Sequence, residues 1–449
     1  MNRVAQQRRG GAKTASLIGV LAFSPSTRSR GPDSDPEPIS MELPAPAFSR
    51  RGFLRAGTLL AASLPAARML AEEAAVLPFL NGGRPLVRYP QKRPLIRLTT
   101  RPPQLETPFE VFDESLLTPN DAFFVRYHLT NSPPRADLLQ PDKFRLAVKG
   151  QVATPLTLSV EELRTRFENA EVTAVNQCAG NSRGFFQPRV QGGQLGHGAM
   201  GCARWRGVRL ADVLKAAGLD TGAKQIVFNG LDAPLVPQTP DFLKAIAVDQ
   251  ALDPGILLAF EMNGEPLPWL NGYPLRLVVP GHYGTYWVKH LHEITVLDEP
   301  FKGFWMDPGY RIPDEPCGAI EPGTTPKRTV PVTRFNVRSF ITNLPSGTTL
   351  KAGKTTGLRG IAFDDGHGIR EVLVSADGGR SWRAAELMRQ VDRYAFRGWT
   401  LPFTPDRAGK LTLIAKATNR LGQSQPMEPL WNPSGYMRNC VEPVEVDVL

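Results

Sequence analysis

NQCAGNSRG, residues 176–184, is the stretch on which the interpretation of this chain depends. It follows a β-branched run over residues 172–177 that predicts a strand, so Cys178 stands at a strand end. The loop after it is rich in Gly, Asn and Ser, residues that let a backbone approach a polar ligand closely. An isolated cysteine is usually a small buried apolar residue. In this loop we instead favour a thiolate that binds a soft metal or acts as a nucleophile.

The surrounding segments predict a domain of mixed α/β type. Ser159 and Glu162 form the capping-box pattern that begins a helix over residues 160–167. A second helix is predicted over residues 210–217, where apolar residues recur at helical spacing until Gly218. We therefore expect a domain over residues 106–312 in which strands alternate with short helices. Its strands are predicted over residues 144–150, 172–177, 225–228, 275–279 and 286–297.

The C-terminal part of the chain has a different pattern. Residues 313–331 are rich in Pro, Gly and Thr and predict a linker. Beyond them, residues 371–376 and 381–387 flank Asp377-Gly378-Gly379, a hairpin turn signal. Short strands at this spacing predict an immunoglobulin-like β-sandwich over residues 332–449. The expected fold class is therefore α+β, with a mixed α/β domain followed by a β-sandwich.

The N-terminal residues 1–71 have the pattern of an export leader. Arg50 and Arg51 precede Phe-Leu and a short apolar stretch, which is too short to be a permanent membrane span. The paired arginines resemble the twin-arginine signal, an address that a receptor reads. We therefore expect export of the folded protein to the periplasm, with Met1 and Met41 both open as the start. Residues 72–105, rich in Pro and Arg, predict an extended arm.

Charge and cysteine spacing exclude several function classes. The formal net charge is +10, but residues 1–71 contribute +6 of it, so no nucleic-acid surface is predicted in the rest of the chain. The cysteines form no CxxC pair and no CxxCH motif, which excludes a zinc ribbon and a c-type haem. Whether Cys317 and Cys440 pair in an oxidising compartment stays open.

The motifs together carry a family resemblance. NQCAGNSRG resembles the Cys-Ala-Gly-Asn loop of the sulfite oxidase family, in which the cysteine sulfur binds molybdenum. GCARWRGV (residues 201–208), LADVL (210–214) and EMNGEPLP (261–268) resemble further signatures in the family's order. The resemblance extends from Phe123 to Asn432. It implies a molybdopterin-binding domain with one molybdenum–molybdopterin cofactor per chain, Cys178 as the metal ligand, and no haem in this chain.

The same resemblance implies roles for other residues. Arg126 and His128 match the family's Arg-x-His pattern, which places Arg126 beside an oxyanion substrate and His128 near the metal and pterin. Arg276 and Lys289 match positions that bind the cofactor's phosphate. Tyr310, in WMDPGYRIP, resembles the active-site tyrosine of bacterial sulfite dehydrogenases.

Three matches leave an alternative open. Asp232 matches an acidic residue that contacts the pterin, with a turn aspartate as the alternative. His282, in PGHYG, is expected in the cofactor loop, with a structural histidine as the alternative. Arg397 matches a second substrate-side arginine from the sandwich, with a solvated strand residue as the alternative. The sequence also departs from the vertebrate pattern, because Asn271 stands where that pattern has a cofactor-contacting histidine.

The activity that the resemblance implies is oxidation of sulfite to sulfate. Because no haem-binding domain precedes the molybdenum domain, we expect an external acceptor, a c-type cytochrome or a haem subunit, and we leave a homodimer open. Two alternatives share the fold: a sulfane dehydrogenase subunit of a thiosulfate-oxidising complex, and a periplasmic methionine-sulfoxide reductase, whose branch lacks the sandwich. A non-catalytic adhesin would explain residues 332–449 but not the Cys178 loop.

Overall fold

The structure, a computed structural model, describes residues 74–77 and 83–449, so the predicted leader lies outside the described residues. The segment expected as an extended arm is paired into an antiparallel sheet, a regularity that its Pro and Arg content did not indicate. Buried Leu95, Leu105 and Val125 attach this sheet to Tyr127 and Leu270 of the main body. Its strands, in sheet order, are β1 (Ala74–Val76), β2 (Gly83–Val87), β3 (Leu95–Thr99), β4 (Gln104–Glu106) and β5 (Val125–Arg126), with helix α1 (Val111–Glu114) between the last two.

The central domain consists mostly of strands. Its elements are β6 (Leu146–Gly150), β7 (Leu156–Leu158), α2 (Val160–Arg166), β8 (Asn169–Gln177), β9 (Met200–Arg209), α3 (Leu210–Ala216), β10 (Gln225–Gly230), β11 (Lys244–Ala247), α4 (Val248–Ala251), β12 (Leu257–Met262), β13 (Glu265–Pro266), β14 (Arg276–Val278) and β15 (Leu291–Leu297). One sheet has the order β11-β10-β15-β6-β7, in which β15 and β6 are parallel. The other has the order β13-β12-β9-β8, and β14 pairs with β12.

The local signals around the predicted helices are confirmed. At α2, the Ser159 hydroxyl accepts a hydrogen bond from the Glu162 amide, and the Glu162 carboxylate accepts one from the Ser159 amide. Helix α3 ends before Gly218, whose φ of +69° lies in the left-handed region that favours glycine. The strand expected over residues 286–297 begins only at Leu291, because Gly284–Tyr286 forms a 3₁₀ turn.

The predicted linker is partly ordered by strand pairing. Strands β16 (Arg311–Pro313) and β17 (Thr329–Pro331) lie at its two ends and form an antiparallel pair. Cys317 lies between them and is exposed, whereas Cys440 is buried, and both thiols are free. A short 3₁₀ turn, Pro316–Gly318, also lies in this linker. Further 3₁₀ turns in the described chain span Ala136–Leu139, Arg183–Phe185 and Trp269–Asn271.

The C-terminal residues form two antiparallel-rich sheets that share one hydrophobic core. Leu358, Val372, Trp399, Leu413 and Ala417 are fully buried in it and come from both sheets. The sheet orders are β18-β20-β24-β23 and β19-β26-β25-β21-β22. The strands are β18 (Arg338–Ile341), β19 (Thr348–Leu350), β20 (Thr356–Phe363), β21 (Ile369–Ser375), β22 (Arg383–Ala384), β23 (Glu386–Leu387), β24 (Arg397–Phe403), β25 (Gly409–Asn419) and β26 (Val444–Val448). No helix among the described residues is both long enough and apolar enough to cross a bilayer.

Candidate active site

The loop after β8 is fixed on both sides of Cys178. The Cys178 amide donates to the Ala199 carbonyl (2.9 Å), and the Asn181 amide donates back to the Cys178 carbonyl (2.9 Å). The Asn181 side chain accepts from the Ala199 amide (3.0 Å). Because these bonds close a tight turn, the Cys178 side chain, only 8% exposed, is held at the wall of a buried cavity.

The C-terminal domain also holds this loop. The Ala179 carbonyl accepts from the Met437 amide, and the Val175 amide donates to the Tyr394 carbonyl, both at 2.9 Å. Ser182, in the left-handed region at φ +69°, accepts at its hydroxyl from the fully buried Arg338 of β18 (3.0 Å). The two domains are therefore joined at the loop that carries the thiol.

The cavity beside Cys178 brings together seven of the nine predicted site residues. Its empty space, open mouth included, is about 630 Å³, within the range of small-molecule sites. We call Arg126, His128, Cys178 and Tyr310 the thiol cluster, and Asp232, Arg276 and Lys289 the lysine cluster. Apolar and neutral residues complete the wall, among them Phe123, Phe124, Asn176, Phe242, Asn271, Thr285 and Trp287.

The thiol cluster is centred on a His128–Tyr310 pair. The Nε2 atom of His128 is hydrogen-bonded to the Tyr310 hydroxyl. Burial, together with Arg126 and other nearby cations, lowers the pKa of His128 well below its usual value, and burial raises the pKa of Tyr310. The phenol therefore keeps its proton and the imidazole is neutral, so the tautomer of His128 decides which of the two groups donates. Phe242 stacks on the His128 ring at a centroid distance of 4.1 Å and fixes its plane.

The lysine cluster is anchored mainly on backbone carbonyls. Lys289 donates to the Arg126 carbonyl (2.8 Å), and Arg276 donates to the carbonyls of Asn271 (2.8 Å) and Trp287 (3.4 Å). Burial lowers the pKa of Arg276 to about 9. Burial also raises the pKa of Asp232 and lowers that of Lys289, which limits the charge that these two residues carry without a ligand.

The cavity wall contains polar atoms without partners, which tests whether it suits a pterin cofactor. Arg276 Nε, Asn176 Oδ1 and Thr285 Oγ1 are buried and make no hydrogen bond within the described structure. A Cβ atom at Gly284 would lie 2.4 Å from Asn176 Oδ1, so glycine leaves that oxygen accessible. Free donors and acceptors beside a thiol and several cations suit a polar, phosphate-bearing metal cofactor.

Comparison with known proteins decides the family. Residues 131–305 match the oxidoreductase molybdopterin binding domain, and residues 329–448 match the Mo-co oxidoreductase dimerisation domain. Mitochondrial sulfite oxidase of Rattus norvegicus is 34% identical over 390 residues, covering 83% of this chain and 69% of the relative. Sulfite oxidase of Arabidopsis thaliana is 31% identical over 388 residues, covering 80% of this chain and 96% of the relative.

The chain belongs to the sulfite oxidase family of molybdenum enzymes. Its cofactor is molybdenum–molybdopterin. Among solved structures, the sulfane dehydrogenase SoxCD from Paracoccus pantotrophus has the same fold, with a TM-score of 0.66 over 87% of this chain and 92% of the other, at 23% identity. Arg126, His128 and Tyr310 lie outside residues 131–305, so for them the placement rests on the structure.

Two of the residues predicted to belong to the site lie outside the cavity. Arg397 donates to the carbonyls of Met388 (3.0 Å) and Ile369 (2.7 Å) within the sandwich. Its neighbour Phe396 is buried against the central domain, and because side chains alternate along β24, Arg397 turns away. The structure therefore does not bring Arg397 into the cavity, and its position agrees with the alternative of a strand residue outside the site.

His282 lies in a separate cavity rather than in the cofactor wall. Its ring contacts Gln250, and Arg334 and Tyr394 line the same space. Only its backbone serves the cofactor cavity, because its carbonyl accepts from the indole N–H of Trp287 (3.0 Å). The structure therefore does not bring the His282 ring into the cofactor cavity, and its position agrees with the alternative of a structural histidine.

Three residues that the sequence analysis did not assign lie next to the thiol cluster. Tyr436 stacks on Tyr310 (5.2 Å, interplanar angle 11°), and the Arg183 guanidinium lies 4.9 Å from the centre of the Tyr436 ring. The ammonium of Lys244 lies 5.0 Å from the centre of the Tyr310 ring. Arg183 was within the quoted loop and could have been proposed from its position. The sequence around Lys244 and Tyr436 contains no motif that indicates a functional site.

Proposed function

We propose that this chain oxidises sulfite to sulfate and passes the electrons to an external c-type cytochrome. The relatives with which it shares the family are named sulfite oxidases. The observation that carries the proposal is the charge around the Cys178 thiol and the Tyr310 hydroxyl. This charge comes from three basic residues.

Arg126 belongs to the thiol cluster, and Arg183 and Lys244 lie next to it. Within the described residues none of the three forms an ion pair at 4.0 Å or less. Lys244 is 1% exposed and donates only to the Trp305 carbonyl (2.6 Å), so burial lowers its pKa to about 7. Uncompensated buried positive charge favours an anionic ligand, and a small oxyanion matches guanidinium donors. Sulfite meets this requirement.

The chemistry divides between the cofactor and the protein. Oxidation of sulfite takes an oxygen atom from water and releases two protons and two electrons. When bound, the molybdenum cofactor supplies the two-electron redox centre and the oxygen transfer. Arg126 binds and orients the dianion, and Arg183 lowers the cost of bringing its charge into the cavity. The hydrogen bond to His128 fixes the Tyr310 hydroxyl, which can donate to the oxyanion, and the released protons go to water because burial keeps the pKa of His128 too low for it to take them up.

The proposal extends to the partners and location of the protein. Two one-electron acceptors, or one acceptor used twice, are needed because sulfite gives up an electron pair. We propose a soluble c-type cytochrome for this role, a homodimer formed through the matched dimerisation domain, and periplasmic export by the twin-arginine route.

Purified protein tests the activity directly. Molybdenum content is measured first, and then sulfite-dependent reduction of cytochrome c, with ferricyanide as an artificial acceptor and thiosulfate as an alternative electron donor. Methionine sulfoxide is tested separately as an electron acceptor, with a reduced dye as the donor. We expect sulfite turnover with cytochrome c and with ferricyanide. Reduction of ferricyanide alone would remove the cytochrome from the proposal, and molybdenum-loaded protein inert towards sulfite would remove the substrate.

The export route has its own test. Replacing Arg50 and Arg51 with lysine keeps the charge of the leader but changes the paired-arginine address. We expect the variant to remain in the cytoplasm with its cofactor bound. Normal periplasmic yield would contradict the route.

A further inference from the structure

A lysine from the N-terminal sheet reaches the wall of the cofactor cavity. Lys92 lies between β2 and β3, and its side chain is only 6% exposed. Its ammonium donates to the carbonyls of Asn120 (2.6 Å) and Phe123 (3.0 Å) and to Asn271 Oδ1 (2.5 Å). All three N–H groups are therefore used, and two of the acceptors belong to residues that line the cavity.

The contact with Asn271 extends to the lysine cluster. Asn271 Nδ2 donates to the Phe124 carbonyl (3.1 Å), and the Asn271 carbonyl accepts from Arg276 Nη1 (2.8 Å). Lys92 thus fixes the side chain of Asn271, and the backbone carbonyl of Asn271 orients Arg276. It also fixes the Phe123–Phe124 segment immediately before β5.

The carboxylate that acts on the charge of Lys92, that of Asp121, lies too far away to form an ion pair with it. Within the described chain Lys92 forms no ion pair at 4.0 Å or less, and its three acceptors are neutral oxygens. Burial lowers its pKa to about 7, Asp121 opposes this shift, and Arg276 adds to it. Three basic side chains, those of Lys92, Arg276 and Lys289, therefore lie at the part of the cavity wall that carries one carboxylate, that of Asp232. This excess of basic groups suits a multiply charged anion.

We propose that Lys92 is a positioning residue for the molybdenum cofactor. Through Asn271 it orients Arg276, and it supplies a positive charge at the place where the vertebrate pattern has a histidine and this chain has an uncharged asparagine. The inference concerns retention of the cofactor and does not depend on sulfite as the substrate.

The test uses full-length protein purified with its cofactor. Lys92→Met is compared with wild type, with the double variant Lys92→Met/Asn271→His, and with Lys143→Met, which removes an exposed lysine away from the cavity. Molybdenum and pterin per chain are measured after prolonged dialysis. Unfolding midpoints are recorded in parallel.

Lys92→Met should retain about tenfold less cofactor, the loss expected when one charge-assisted contact is removed. Asn271→His should restore at least about half of it in that background, because even a neutral imidazole at this cavity-lining position has a ring N–H that can donate to the cofactor without Lys92. Lys143→Met should match wild type, and sulfite turnover per bound molybdenum should stay within about twofold in every variant. Full retention in Lys92→Met overturns the proposal. Loss that Asn271→His does not restore also overturns it, because Lys92 would then serve the fold alone.

Discussion

The two clusters in the cavity are built in different ways. In the thiol cluster, side chains hold side chains: Tyr310 bonds to His128 across 182 residues of sequence, and Phe242 and Tyr436 stack on these two rings. In the lysine cluster, the cations hold the main chain through the carbonyls of Arg126, Asn271 and Trp287.

This difference predicts different consequences of substitution. A side chain removed from the thiol cluster leaves the backbone bonds in place, so chemistry should change more than folding. A cation removed from the lysine cluster exposes buried carbonyls without a donor, which costs stability and cofactor together. Four experiments test the thiol-cluster side of this comparison and the residues around the cavity.

The largest effect is expected for Cys178→Ser. A hydroxyl is a poor substitute for a soft thiolate at molybdenum, so turnover should fall by roughly a thousandfold or more. The backbone bonds of the loop do not involve the thiol, so the unfolding midpoint should change little. Steady-state sulfite oxidation and thermal unfolding provide the measurements, with exposed Cys317→Ser as the matched control. Activity near wild type would remove Cys178 from the metal.

Arg126→Gln should raise KM for sulfite much more than it lowers kcat. Loss of one charge-assisted contact costs about 1.5–3 kcal/mol, or roughly ten- to a hundredfold in affinity. Arg183→Gln should act in the same direction, and the double variant should be non-additive because both groups serve one ligand. If KM stays constant and molybdenum content falls instead, these arginines serve the cofactor and the thiol cluster resembles the lysine cluster after all.

The pH dependence of stability should reveal the buried lysines. Burial lowers the pKa of Lys92 and Lys244 to about 7, so between pH 7 and 9 the unfolded chain binds more protons than the folded one. The unfolding free energy of cofactor-free protein should therefore rise over this range. Calorimetry at pH 7, 8 and 9 measures it, and Lys244→Met should show a smaller rise. The cofactor-bound protein should also show a smaller rise, because a bound phosphate favours the protonated lysines. A flat profile in cofactor-free wild type would contradict the assignment.

The smallest effect is expected for Arg397→Gln. Its guanidinium bonds to two carbonyls inside the sandwich, so the variant should lose about 1 kcal/mol of stability. KM for sulfite should equal that of wild type. An increase in KM as large as that expected for Arg126→Gln would mean that Arg397 does contact the substrate.

The sequence was most informative where chemistry follows a local pattern. The β-branched run before Cys178 forms β8, and the Gly- and Asn-rich loop after it places the thiol in the cavity as its composition suggested. The capping box of Ser159 and Glu162 also needed only four consecutive residues. Such features are visible because their interactions are between near neighbours.

The features that the sequence did not predict concern interactions between distant residues. The direction of the Arg397 side chain could not be predicted, because a shift of one residue reverses it and only the packing of the preceding Phe396 fixes it. Lys92 meets Asn271 across 179 residues, and nothing around either residue indicates the other. Lysines are usually solvated, so nothing in the sequence indicated that Lys92 and Lys244 are buried.

The hydrogen bonds that join Met437, Tyr394 and Arg338 to the residues around Cys178 limit the exchange of domains during evolution. A recombination point between residues 313 and 331 would separate the segment around Cys178 from these three hydrogen bonds. An exchanged sandwich would therefore have to bring its own matching partners for Val175, Ala179 and Ser182. The two domains are thus expected to be inherited as a unit, and sequence variation at these contacts should be correlated across the domain boundary.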